Sequence, residues 1–153
     1  MLPENAEDFR TIWLSPDDEA VVQIIDQRLL PHEYRIHDLR SWQDGVVAIS
    51  EMYVRGAPLI GATAAWSLYL ASLGNGDVAK EIETASEALV ESRPTAVNLV
   101  WAVNRVRKRL RTARSAEEMI TLTRKEAESI CDEDIKISRG IGNQGLKLIE
   151  AIS

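Results

Sequence analysis

Apolar positions along the chain fall into two regimes, short runs up to about residue 36 and helical spacing from residue 41 onward. Residues 9–14 and 21–25 are apolar-rich and are separated by Ser15-Pro16-Asp17-Asp18, a turn composition, so they predict a β-hairpin. An extended piece at about residues 33–36, after Leu30-Pro31, completes a small antiparallel sheet. Ser41-Trp42-Gln43-Asp44 then has the shape of a capping box with an acidic partner, and Val46, Ile49, Met52 and Tyr53 follow at helical spacing. This first helix runs into the loop before Pro58.

A second helix, from Pro58 to about residue 73, carries Gly61, Ala62, Ala64 and Ala65 among Leu59, Ile60, Trp66, Leu68, Tyr69 and Leu70. Apolar nearly all round, it should be central and buried, with small residues that let another backbone come close. Gly74-Asn75-Gly76 ends it. Asp77 is a good N-cap for a third helix with Val78, Ile82, Ala85 and Leu89 on one stripe. A fourth, residues 95 to about 114, repeats the pattern with Leu99, Val103, Val106 and Leu110. Ser115-Ala116-Glu117-Glu118 is a second capping box, opening a long fifth helix whose Ile120, Ala127, Ile141 and Leu148 lie seven or fourteen apart, with Asp134 in the same stripe. The expected fold is α+β and mostly α: a small antiparallel sheet in residues 1–37 and a bundle of about five helices in residues 38–153, together one unit.

Composition narrows the function classes. The 153 residues suit one domain able to bury a core. A net charge of −6 and a pI near 5.0 argue against a general binder of nucleic acid or of anionic membranes. Arg105, Arg107, Lys108, Arg109, Arg111 and Arg114 crowd the end of the fourth helix, but cations are favourable at a helix C-terminus and no aromatic residues interleave, so they read as a solvated face. No stretch approaches the roughly twenty apolar residues of a membrane helix, and the first residues are polar and acidic, so a cytoplasmic protein is expected. His32, His37 and the single Cys131 suggest neither a metal site nor a cofactor.

The candidate chemistry lies in residues 54–61, Val-Arg-Gly-Ala-Pro-Leu-Ile-Gly. Pro58 suits the first position of a helix, and Gly56 and Ala57 leave the unpaired N–H groups of that helix start open to a ligand. Arg55 would stand at the positive end of the helix, a conflict of roughly 0.3–1 kcal/mol that a bound anion removes. Ser92-Arg93-Pro94-Thr95-Ala96-Val97-Asn98 repeats the logic. Two arginines at two helix starts suggest one phosphate. Taken alone, either stretch is more often a solvated turn.

Together these residues resemble a known family. Arg55-Gly56-Ala57-Pro58 with Ile60-Gly61, then Arg93-Pro94-Thr95-Ala96-Val97-Asn98-Leu99, preceded by Asp26-Gln27 and Leu30-Pro31, look like the amino-terminal half of methylthioribose-1-phosphate isomerase, from about residue 12 to the Ile141-Gly142-x-x-Gly145 stretch. The resemblance implies an aldose–ketose isomerase acting on a phosphorylated pentose in methionine salvage, a homodimer when complete, with Arg55, Gly56, Ala57 and Arg93 in substrate binding. It also implies that the catalytic cysteine and aspartate lie in a larger doubly wound α/β domain beyond Ser153, so this chain holds no catalytic residue and should be inactive alone. Relatives of the isomerase include ribose-1,5-bisphosphate isomerases and regulatory subunits of translation initiation factor 2B, the latter using the fold for assembly; a helical interaction domain of only ancestral likeness is a further alternative.

Two features imitate chemistry. Gly140-Ile141-Gly142-Asn143-Gln144-Gly145 spells a dinucleotide-binding turn, but its flanks read as helix rather than as strand then helix. Cys131 falls mid-helix beside Asp132 and Glu133, which disfavour a thiolate, and reads as structural.

Overall fold

The computed structural model describes residues 10–150 and 152; Phe9, at the head of the first predicted run, lies outside them. Three strands, β1 (Ile12–Leu14), β2 (Val22–Ile25) and β3 (Ile36–Leu39), form an antiparallel sheet with β2 in the middle. Ile12 pairs with Ile24 across one edge, and Val22 with Leu39 across the other. The third strand thus lies three residues further on than expected. Asp26 N–H donates to the Arg35 carbonyl at 2.9 Å, closing the sheet end next to β3.

Five helices follow: α1 (Trp42–Ser50), α2 (Ala57–Ser72), α3 (Val78–Ser92), α4 (Val97–Leu110) and α5 (Ala116–Glu150). Fourteen of the sixteen residues of α2 are buried, which makes it the axis of the bundle, as its all-round apolar pattern predicts. Its buried hydroxyls are satisfied within the helix, Thr63 donating to the Leu59 carbonyl and Ser67 to that of Thr63. Ile12, Val22, Ile24 and Leu39 of the sheet join the same buried cluster as Ile49, Leu68, Leu89, Leu99, Val106 and Ala127.

The predicted caps form. Asp44 N–H donates to Ser41 Oγ at 3.2 Å while the Asp44 carboxylate accepts from Ser41 N–H at 2.9 Å. Asp77 caps α3 through its side chain alone, accepting from the N–H groups of Ala79 and Lys80.

The helix ends differ from expectation in four places. First, α1 stops at Ser50 instead of continuing through Tyr53. Met52 takes φ 59°, and the N–H groups of Tyr53 and Met52 fold back onto the carbonyls of Ala48 and Ile49. That is a Schellman closure with methionine where glycine is usual. Second, α2 closes on Leu73 in right-handed geometry, with no left-handed glycine at Gly74. Third, α4 begins at Val97 and ends at Leu110, shorter at both ends than residues 95–114. Fourth, α5 is buried only as far as Cys131, so Ile141 and Leu148 of its predicted stripe are exposed at 69% and 68%.

Candidate anion-binding site

The start of α2 has the features of an anion grip. Gly56 is its N-cap at φ 89°, a value L side chains rarely adopt, and nothing lies within 4 Å of where a Cβ would stand. No side chain caps this end, so the first N–H groups are left for a ligand. Pro58 is the second helical residue rather than the first, with Ala57 taking that place. Arg55 is exposed, and among the described residues nothing pairs with its guanidinium. Its own N–H donates to Gln27 Oε1 at 3.1 Å.

Arg93 is placed differently from the expectation. It is the C-cap of α3, half-buried, at φ −154° and ψ 77°, outside the α region that the following proline disfavours. A cation there meets the negative end of α3. The chain then turns through Pro94 and Thr95, Ala96 N–H donating to the Arg93 carbonyl at 3.0 Å, and α4 starts four residues later without a side-chain cap. Among the described residues its guanidinium, too, has no partner.

The two helix starts are nonetheless neighbours. A Cβ on Gly61, the fifth residue of α2, would stand 3.0 Å from the carbonyl oxygen of Asn98, the second residue of α4. At 1.5 Å of rise per residue, each helix start is within roughly 6 Å, along its own axis, of this contact. Arg55, Gly56 and Ala57 therefore stand on the same end of the bundle as the Arg93 turn.

A group of residues that periodicity does not reveal backs the Arg55 turn. Asp26, 2% exposed, accepts from Arg28 Nε at 2.9 Å and Nη2 at 2.7 Å. The guanidinium of Arg28 holds the Asp26 carboxyl below the usual carboxylate range, and Arg28 itself is pushed up by the same pairing. The Arg28 guanidinium also lies 3.3 Å above the Tyr53 ring, against which His37 packs edge-on at 5.1 Å. The only sequence signal for this group is the Asp26-Gln27 pair within the family motif.

A cleft of about 630 Å³ borders the start of α2, lined by Arg10, Pro58, Leu59, Cys131, Asp134 and Arg139 among others. Burial pushes the Cys131 thiol up, so it is a protonated side chain and no nucleophile at neutral pH. The glycine-rich segment 140–145 lies within α5 with no strand before it, and the dinucleotide turn it spells is not built. Basic residues of α4 are engaged by acids: Arg105 pairs with Glu126 at 2.5 Å and Glu133 at 2.6 Å, and Arg107 with Glu83 at 2.7 Å. Among the described residues no group of His, Cys, Asp or Glu is arranged for a metal, and no helix is long and apolar enough to cross a membrane.

A family model described as the initiation factor 2 subunit family matches residues 53–152, a span that contains both arginine motifs. The chain belongs to this family. Proteins to which it is similar include methylthioribose-1-phosphate isomerase of Cereibacter sphaeroides strain KD131, 46% identical over 149 residues, and that of Sinorhizobium medicae strain WSM419, 44% identical over 145 residues. These alignments cover 97% and 95% of this chain but 40% and 39% of the relatives, so the chain spans about two fifths of their length. Among solved structures, 5-methylthioribose 1-phosphate isomerase of Pyrococcus horikoshii matches with a TM-score of 0.75 at 36% identity, over 81% of this chain and 36% of that one. The delta subunit of translation initiation factor eIF-2B of A. fulgidus matches with a TM-score of 0.77 at 28% identity, over 84% of this chain and 38% of that one. The family named by the sequence motifs is thus the family found, and the relatives that match over nearly the whole chain bear an enzyme's name.

Proposed function

We propose that this chain is the substrate-binding domain of an aldose–ketose isomerase that converts 5-methylthioribose-1-phosphate to 5-methylthioribulose-1-phosphate. The observation that carries the reading is the start of α2. There an unpaired Arg55, a glycine at φ 89° and uncapped helix N–H groups stand together on the end of the bundle that also holds Arg93. Arg55 and Arg93 bind the phosphate through charge-assisted hydrogen bonds, and the backbone of Gly56 and Ala57 completes the cradle. With phosphate on the C1 oxygen the ring is no longer a free hemiacetal that opens by itself to the aldehyde, so an acid, a base and the phosphate must be held in one geometry. Positioning of this kind supplies on the order of 7–11 kcal/mol in ideal cases.

In this reading the acid and base lie in the three fifths of the relatives' length that this chain does not span. That part packs on the exposed apolar residues at the same end: Val97 and Trp101 of α4, and Ile137 and Ile141 of α5. Arg105 bridges from α4 to Glu126, Ser129 and Glu133 of α5, so residues earlier in α4 lie beside residues later in α5. The chain is cytoplasmic, inactive alone and part of a homodimer when complete. Ribose-1,5-bisphosphate is the alternative substrate.

The test is kinetic, on the chain extended to its relatives' length. Arg55→Ala and Arg93→Ala should each raise KM and lower kcat/KM by about 10- to 100-fold, the loss of a charged hydrogen bond worth roughly 1.5–3 kcal/mol, with folding unchanged. Unchanged kinetics in both would remove the assignment. The likeness to the eIF-2B delta subunit supports a second reading, a regulatory assembly module without chemistry. Tight self-association with no response to sugar phosphate would favour it.

A further inference from the structure

Gln27 touches the Arg55 turn twice. Its N–H donates to the Tyr53 carbonyl at 2.9 Å, and its side-chain Oε1 accepts from Arg55 N–H at 3.1 Å. One residue thereby holds residues 53 and 55 from the same side. The segment so held belongs to neither α1 nor α2, and its ends are set by two left-handed residues, Met52 at φ 59° and Gly56 at φ 89°. Without Gln27 nothing else among the described residues bonds to the Arg55 amide.

Gln27 is itself fixed from both neighbours. Asp26 is buried in its pair with Arg28 and donates its N–H to Arg35, while Arg28 lies over the ring of Tyr53, the residue whose carbonyl Gln27 engages. That set fixes the backbone of Gln27, from which its side chain reaches the Arg55 amide. A neutral acceptor also suits the place. A carboxylate would accept the same bond but would put a negative charge beside a site for an anion.

We infer that Gln27 is a positioning residue, fixing the Arg55–Gly56 turn so that the guanidinium and the first α2 amides converge on one anion; this rests on the anion-binding reading above. Its action is through Arg55 and not through contact with substrate.

The experiment uses the 153-residue chain, ¹⁵N-labelled, with inorganic phosphate and methylthioribose-1-phosphate as probes and thermal melting as the folding control. Gln27→Met removes the acceptor at similar size. It should speed exchange of the Arg55 amide about tenfold and weaken binding about fivefold, the scale of one neutral hydrogen bond. Combined with Arg55→Ala it should cost less than it does in the wild type, since with the guanidinium gone the turn positions only the α2 amides. Gln27→Glu should restore the slow exchange but not the affinity. Should Gln27→Met fail to fold, Gln27→Asn, which draws the acceptor back from the Arg55 amide by one methylene, carries the test, and an affinity equal to that of wild type with the Arg55 amide exchanging faster would overturn the inference. Binding by the wild type with an unchanged dissociation constant in Gln27→Met, or losses from the two substitutions that add in full, would overturn it while leaving the anion site standing. No binding by the wild type overturns the anion site itself, and the positioning role with it.

Discussion

Asp26 holds its charge where almost no water reaches it, and its hydrogen bonds from Arg28 make that tolerable. A carboxyl held low in the folded chain binds its proton more readily once unfolded. Its stabilising contribution is therefore complete above the unfolded value of about 3.9 and is lost as pH falls through the folded value. Glu133 behaves alike: hydrogen bonds from Arg105 and Ser129 hold it at about 2, though at 46% exposure solvent screens much of the effect. Thermal midpoints should thus fall steadily between about pH 5 and pH 2. Asp26→Asn should cost about 1.5–3 kcal/mol at pH 7, the worth of a hydrogen bond to a charged group, and should flatten that dependence. A variant as acid-sensitive as the wild type would show that the ion pair contributes nothing.

Among the elements, α1 and α2 meet closely at one glycine. A Cβ built on Gly45 would stand 1.8 Å from Ser67 Oγ and 2.8 Å from Ser67 Cβ, so Gly45→Ala forces the two helices apart. We expect a loss of about 1–3 kcal/mol, read from chemical denaturation, and a partial recovery in the double variant with Ser67→Gly. Independent, additive effects would mean that the helices move freely at this point. Gly45 shows also what the sequence leaves unsaid, since it reads as an ordinary position within an amphipathic helix. The central role of α2 was legible because apolar residues surround it on every side. The ends of α1 and α4 were not. Met52 closes α1 through backbone bonds that any residue can make, and Pro94 marks the end of α3 and not the start of α4. The site divides in the same manner. Arg55, Gly56 and Ala57 adjoin one another in the chain and could be read directly. The support from Asp26, Gln27 and Arg28 reaches the turn across 25 to 28 residues and exists only once the sheet places β2 next to the end of α1.

For the molecule as a whole, the decisive feature is that α5 outruns its bundle. At 35 residues it is about 52 Å long, yet its last buried residue is Cys131. Gly140, Gly142 and Gly145 lie beyond, and at each a Cβ would meet nothing within 4 Å. Close packing among the described residues does not call for them. Each costs about 1 kcal/mol of helix propensity relative to alanine, so the three together make this the segment where the helix–coil equilibrium of α5 is most nearly balanced. Replacing all three by alanine should raise the helicity of the free chain, seen as a deeper circular dichroism minimum at 222 nm that persists to higher temperature. An unaltered melt would mean that contacts hold the end of α5 regardless of composition. Nearly three kilocalories per mole have been left out of this one stretch of helix, which can therefore be wound or unwound by a modest load applied at its far end.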